Sequence, residues 1–121
     1  MLDEIRIDDL LLRTIIGIND EERRDRQDVR INLVLQVDSR KAGRTDDIRD
    51  APLNYRTLTK RIIAMVEESK FYLVERLAAR IAELCLEEPG VERARVSVDK
   101  PGALRFARSV GITIEREREH G

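Results

Sequence analysis

Hydrophobic and polar positions alternate in four stretches of the chain and recur at helical spacing in two. From Ile5 to Ile16 the apolar residues Ile5, Ile7, Leu10, Leu12 and Ile16 are interleaved with charges, and a phase slip at Asp8-Asp9 predicts a bulge in a strand that ends at Gly17. Val29, Ile31, Leu33, Leu35 and Val37 follow at strict period two, the clearest strand in the chain. Between them GINDEERRDRQD (17–28) is polar and turn-forming, so the two strands are expected to form an antiparallel hairpin with a long, charged connection. The segment DSRKAGRTDDIRDAPLN (38–54) has few apolar residues and contains Gly43 and Pro52; it reads as a long loop. Asn54 or Thr57 then offers a cap for a helix in which Leu58, Ile62, Met65 and Val66 line one face up to Lys70. After Phe71, the set Val74, Leu77, Ala78, Ile81, Leu84 and Cys85 predicts a second amphipathic helix, closed by Pro89-Gly90. Ala94-Val96-Val98 and Val110-Ile112-Ile114 give two further strands, joined by PGALRFAR.

Grouped as ββααββ, these elements predict an α+β fold: a four-stranded antiparallel sheet with both helices on one face, in a single domain over residues 1–121. Such a sheet leaves its second face and both edges open, which monomers normally avoid, so long strands in so small a domain point to closure through other subunits. The tail EREREHG is expected to be solvated and frayed.

Composition narrows the function classes. Charged residues make up 39% of the 121 positions and aromatics only 3%, yet aliphatic residues bring the hydrophobic share to 41%, which places the chain among globular proteins. Lys plus Arg (23) nearly cancels Asp plus Glu (24) with the signs interspersed, so no basic field exists for a nucleic-acid partner. No apolar run is long enough to span a membrane, and Met1-Leu2-Asp3-Glu4 opens with acid, unlike a signal peptide; a cytoplasmic location is the expectation. Cys85 and His120 are the sole cysteine and histidine, which excludes internal disulfides, zinc clusters and Ser-His-Asp or Cys-His catalysis within one chain. Cys85 is expected only to pack. An enzyme built from this chain must use Lys, Tyr, Glu or Asp as acid and base, and any metal would need carboxylates alone.

Few candidates of those types sit at turns or element ends. Glu21 and Glu22 follow Gly17, Tyr55 closes the long loop in LNYR, Glu75 lies in YLVERL, and Lys100 ends the third strand where Pro101-Gly102 stop it. Each also has an ordinary reading: Glu22 as one charge in an acidic-basic loop, Tyr55 as an amphipathic helix-start residue, Glu75 as a helix-surface acid paired with Arg76 or Arg80. Glu75 stands out because Leu73, Val74 and Leu77 surround it in a helical first turn that reads as buried, where a carboxylate needs helix amides or a ligand as partner. A planar N-C-N donor edge, as in amino-pyrimidine and pterin rings, would meet it with two parallel hydrogen bonds.

Five stretches, LRTIIGI, RQDVRINL, LNYRTLTKRI, FYLVERLA and DKPGALRFARSVGITIER, resemble in order the dihydroneopterin aldolase and dihydroneopterin triphosphate 2'-epimerase family. LRTIIGI, INDEE, RQD and LNYRTLTK lie closer to the epimerase branch and KPGA and VGITIER to the aldolase branch; the balance favours the epimerase, with the aldolase as alternative. Pro52 is an extra residue relative to the family pattern just before Tyr55. The resemblance implies a tunnelling fold in which four subunits close a barrel and two rings stack into a homo-octamer, with active sites between adjacent subunits. It further implies a pterin substrate anchored by Glu75 and by backbone around Leu73 and Val74, and side-chain hydroxyls held by Glu22. Lys100 would be the general base, with a bound water, and Tyr55 a proton relay, with no metal and no cofactor. The competing readings are a non-catalytic oligomeric binding module, and another tunnelling-fold enzyme using zinc or a catalytic cysteine. The latter needs ligands this composition lacks.

Overall fold

In the computed structural model, which describes residues 2–119, β1 (Asp3–Thr14), β2 (Gln27–Val37), β3 (Arg93–Pro101) and β4 (Ser109–Glu117) form one antiparallel sheet in the order β1-β2-β3-β4. Two long helices, α3 (Tyr55–Glu68) and α4 (Val74–Glu87), intervene between the two hairpins. The α+β, ββααββ architecture is therefore present. The alternation explains its core: Val29, Ile31, Leu33, Leu35 and Val37 of β2 and Ala94, Val96 and Val98 of β3 are buried against Leu58, Ile62 and Val66 of α3 and Leu77, Ala78 and Ile81 of α4. Each fully buried aliphatic side chain contributes about 1.5–3 kcal/mol, so this single layer dominates the stability.

The opposite face carries Arg30, Asn32, Val34 and Gln36 of β2, aligned with Asp99, Ser97, Arg95 and Arg93 of β3. Those residues leave the sheet unsealed on that side, and β1 and β4 each pair along one edge only. The slip at Asp8-Asp9 is a bulge: register shifts between Ile7 and Leu10, Asp9 takes φ 54°, and its N–H donates to Asn32 Oδ1 at 2.8 Å.

Three local expectations are corrected. The connection 17–28 is not all turn: Asp20–Arg24 forms a short helix, α1, started at Asn19, because Glu22 reaches back to accept from the Asn19 N–H at 3.3 Å. The segment 38–54 is not one loop; it holds α2 (Arg40–Thr45) and a 3₁₀ turn (Ile48–Asp50), fastened by Lys41–Asp50 and Thr45–Asp50 contacts of 3.2 and 2.7 Å that apolar periodicity does not register. β1 ends at Thr14 rather than Gly17, because the buried Thr14 hydroxyl turns to the Val66 carbonyl at 2.6 Å at the end of α3. Of the two caps considered for α3, Asn54 holds the position and accepts from the Thr57 N–H at 3.1 Å, and the helix stops at Glu68. The tail expected to fray is ordered over its described part: Glu115–Glu117 continue β4 and Arg118 donates to the carbonyls of Leu86, Glu88 and Val91, while His120 and Gly121 lie outside the described residues. Among the described residues no helix is long and apolar enough to cross a membrane.

Candidate active site

β3 carries Lys100 on the same face as the core residues Val96 and Val98, one step beyond the end of the apolar ladder. Its side chain is only 12% exposed and ends 2.7 Å from Glu22 Oε2. The two residues are 78 positions apart in sequence, so the contact is made by the fold, with the Gly17–Asp28 connection brought over the end of the sheet.

Three donors hold the Glu22 carboxylate. Besides Lys100 and the Asn19 N–H, Gln27 Nε2 donates to Oε2 at 3.3 Å while also donating to the Ile16 carbonyl at 2.5 Å. The Lys100 hydrogen bond foremost, with Gln27 and the Asn19 N–H, overcomes the opposing effect of burial and draws the Glu22 carboxyl down to about 2. The carboxylate lies directly against Gly17. A Cβ there would stand 2.3 Å from Glu22 Cδ, and the Gly17 φ of 134° already requires glycine.

Arg23 fastens this connection to the turn before α4. Its Nη1 donates to the Gly17 and Phe71 carbonyls at 3.1 and 3.2 Å, its Nη2 to the Lys70 carbonyl at 2.8 Å, and the guanidinium lies 4.0 Å from the centre of the Tyr72 ring. The N-terminus of α4 is thereby set beside Glu22 and Lys100. Leu73 is its N-cap residue and makes no side-chain cap; the Arg76 N–H donates to the Leu73 carbonyl at 3.1 Å, and the Val74 and Glu75 amides that open the helix have no intrahelical acceptor among the described residues.

Gly17, Ile18, Glu22, Tyr72, Leu73, Val74, Glu75, Lys100 and Val110 line one cleft of about 190 Å³. The structure thus brings together Glu22, Glu75, Leu73, Val74 and Lys100. Glu21 is exposed and outside it. Tyr55 is also absent from the cleft: it is 59% exposed and lines a separate cavity with Ile48, Ala51, Leu53, Asn54 and Arg56.

Glu75 differs from expectation in its surroundings. The first turn of α4 is only partly buried in the single chain, because Leu77 and the half-buried Val74 pack against the core while Leu73 is 51% exposed and Glu75 is exposed. The surface ion pair considered for it is not made either, since Arg76 and Arg80 both turn to Glu83, at 3.4 and 3.1 Å. Among the described residues Glu75 has neither an ion pair nor a hydrogen bond from its side chain. Ile18 (69% exposed), Tyr72, Leu73 and Val110 form an open apolar rim around it.

Residue-type reasoning alone passed over Gly17, Arg23 and Gln27. The signal for Gly17 was its place between a β-branched strand end and a polar run, but nothing in a polar run ranks Arg23 above Arg24 or Arg26. Among the described residues no cluster of three or more His, Cys, Asp or Glu side chains is arranged to hold a metal ion.

Known proteins resemble this chain in sequence and in fold. A family model described as FolB, dihydroneopterin aldolase, matches residues 5–115. Dihydroneopterin triphosphate 2'-epimerase of Pseudomonas aeruginosa is 52% identical over 114 residues, covering 94% of this chain and 92% of that protein. Dihydroneopterin aldolase of Escherichia coli is 36% identical over 115 residues, covering 95% and 93%. The structure of E. coli dihydroneopterin aldolase in complex with neopterin superposes with a TM-score of 0.88 over 94% of this chain and 98% of that one, at 36% identity. The Vibrio cholerae structure described as FolB superposes with a TM-score of 0.92 over 98% and 99%, also at 36% identity. This chain belongs to the dihydroneopterin aldolase family.

Proposed function

We propose that the protein acts on the side chain of 7,8-dihydroneopterin or its triphosphate by metal-free retro-aldol chemistry, with 2'-epimerisation of the triphosphate as its main reaction and aldol cleavage as its second. The observation that carries this reading is the single cleft holding an amine–carboxylate pair, Lys100 and Glu22, beside the unpartnered carboxylate of Glu75 at the start of α4. The higher identity to the epimerase than to the aldolase supports the choice of main reaction.

Glu75 accepts two parallel hydrogen bonds from the 2-amino group and N3–H of the pterin ring, and the outward amides about Leu73 and Val74 meet the ring's acceptors. The ring lies on the apolar rim and its side chain extends to Glu22, which takes the hydroxyls. Lys100, through a bound water, removes the C2' hydroxyl proton. As that O–H becomes a carbonyl, the C1'–C2' bond breaks and its electrons enter the C6=N5 imine of the ring, which serves as the electron sink that other aldolases obtain from a Schiff base or a metal. Protonation at C1' yields 6-hydroxymethyl-7,8-dihydropterin and glycolaldehyde or its phosphorylated equivalent. Rotation of the bound aldehyde followed by re-addition inverts C2' instead. No oxidant or cofactor enters either balance.

Tyr55 serves as proton relay from the adjacent subunit. Its exposure, its separate cavity, and the unpaired edges of β1 and β4 all support sites completed between subunits, in rings of four stacked as an octamer.

Incubation of the protein with 7,8-dihydroneopterin and with its triphosphate, chelator present, followed by separation of the pterins, tests the reading. Conversion to the 2'-epimer or to 6-hydroxymethyl-7,8-dihydropterin is expected; unchanged substrate in both tubes overturns it. A non-catalytic module would give the second result and tolerate Lys100→Ala.

A further inference from the structure

From the geometry of the β3–β4 connection we infer that Arg105 and Arg108 form the element that selects a triphosphorylated side chain over the free alcohol. This rests on the reading of the cleft given above and names the part of the substrate that the cleft itself does not explain. The residues lining the cleft carry two carboxylates, Glu22 and Glu75, against one ammonium, Lys100. That balance suits a neutral polyol and opposes a tail bearing several negative charges, so a triphosphate needs cations just outside.

The connection supplies them. Signs are interspersed through most of the chain, yet from Lys100 to Ile114 there is no acidic residue, and the charges are Lys100, Arg105 and Arg108 alone. Both arginines are exposed, and among the described residues neither makes an ion pair with a carboxylate. Many of the protein's other exposed arginines are so neutralised, among them Arg13, Arg40, Arg49 and Arg61.

Position favours the same assignment. Lys100 pairs across the hairpin with Val110, which also lines the cleft, and Arg108 lies two residues before Val110. From strand spacing its Cα is therefore about 8–9 Å from that of Lys100. The base of the connection is fixed by Gly102 N–H donating to the Arg108 carbonyl at 3.0 Å, and its tip by Ala107 N–H donating to the Leu104 carbonyl at 3.2 Å. Phe106, between the two arginines, is 96% exposed and held at φ 72°, a left-handed conformation that a bulky residue seldom adopts. The Arg105 guanidinium lies 5.0 Å from its ring centre. With the ring end of a substrate at Glu75 and its hydroxyls at Glu22, a chain continuing past Lys100 runs out toward these two guanidinium groups, which bind phosphate oxygens with paired donors.

The test compares kcat/KM for 7,8-dihydroneopterin triphosphate and for 7,8-dihydroneopterin in the wild-type protein, in the double variant Arg105→Ala/Arg108→Ala, and in Arg105→Lys/Arg108→Lys. The double alanine variant is expected to lose about 10- to 100-fold of the preference for the triphosphate, mainly through KM, and the lysine pair to keep part of it. Added salt should erode triphosphate turnover in the wild type more than in the alanine variant. Inorganic tripolyphosphate should inhibit the wild type competitively and the alanine variant weakly. An unchanged ratio between the two substrates, or an equal loss on both, overturns the assignment while leaving the reaction intact. Failure of the wild type to convert either substrate instead overturns the reading of the cleft, and this assignment with it.

Discussion

The two ends of α4 face two hollows of opposite character. At its N-terminus lies the cleft of about 190 Å³ with Glu22, Glu75 and Lys100; near its C-terminus lies a hollow of about 1130 Å³ bordered by Gln36, Asp38, Pro52, Gly90, Glu92, Arg93, Glu117 and Arg118. Size would choose the second. Its principal cations, however, are already used: Arg118 donates to the carbonyls of Leu86, Glu88 and Val91 at 2.9, 2.7 and 2.8 Å, and Arg93 pairs with Glu117 at 2.9 Å. Gly90 sits there because a Cβ would collide with the Pro52 carbonyl at 1.8 Å, so this end is a structural joint that also seats Pro52 in the loop before Tyr55. Among the described residues, the smaller cleft keeps a carboxylate without a partner, Glu75, and a lysine whose one carboxylate partner, Glu22, is itself a proposed substrate ligand. Availability of polar groups, not volume, marks the end proposed to work.

The sharpest way to break this contrast is to remove the key cation from each end. Lys100→Ala is expected to lower kcat by about 10²- to 10⁴-fold. Arg118→Ala should leave activity per folded molecule near wild type while lowering stability by about 1–3 kcal/mol, since three carbonyls lose a charged donor. Steady-state kinetics and denaturant titration on both variants check the pair, and a kinetic collapse in Arg118→Ala would erase the distinction.

Gly17→Ala probes how the cleft is held without touching a charge. The new methyl group occupies the space of the Glu22 carboxylate and a φ of 134° is hostile to alanine, so Glu22 must swing away from Lys100. A displacement of about 1 Å at a reacting group costs on the order of 100-fold, and the backbone strain adds about 1 kcal/mol or more of destabilisation. Gly90→Ala at the other end should destabilise the fold without changing KM. Kinetics together with thermal denaturation separates the two outcomes.

Most of the framework was legible because it follows from periodicity. The bulge at Asp8-Asp9, the strict alternation of β2 and the apolar faces of both long helices each have one low-energy solution, and that solution is observed. Glu22 and Lys100 were legible as residues at element ends, and the chain resemblance gave them a shared site. Their direct contact was not legible, since it spans 78 positions and depends on Arg23 pinning the α1 segment to the carbonyls of Lys70 and Phe71. The exposure of Glu75 was misjudged for a related reason. Apolar neighbours in sequence do not bury a helix residue unless they share its face, and Val74 and Leu77 pack on the core from a face that Glu75 does not share. The apolar residues Leu73 and Tyr72 instead form an open rim.

Acid should act on the two ends differently. The folded-state Glu22 carboxyl lies near 2, below its ordinary 4.5, chiefly through the Lys100 hydrogen bond. Its stabilising contribution is therefore complete above pH 4.5 and is lost as pH falls toward 2. Removing Lys100 returns the carboxyl toward its ordinary range and shrinks that acid-labile part of the stability. Melting temperatures followed from pH 6 to pH 2 should show a shallower fall for Lys100→Ala than for the wild type, whereas Arg118→Ala should shift the whole curve down in parallel. Parallel curves for Lys100→Ala would mean that the 2.7 Å contact contributes nothing to folding.

The smallest effect concerns Cys85, which lies in the last turn of α4, close to the carbonyls of Leu86 and Glu88 that Arg118 holds. It is fully buried, and burial pushes its thiol up to about 12. The thiolate is the reactive form, so native protein at neutral pH should resist alkylation, and any labelling must follow local opening of the helix. Loosening the C-terminal joint should raise that opening while altering the cleft should not. Iodoacetamide labelling followed by mass spectrometry is thus expected to be negligible in the wild type and in Lys100→Ala, and measurable in Arg118→Ala. Equal labelling in all three would show that the helix opens as one unit, and that the separation between a working end and a structural end does not extend to its motions.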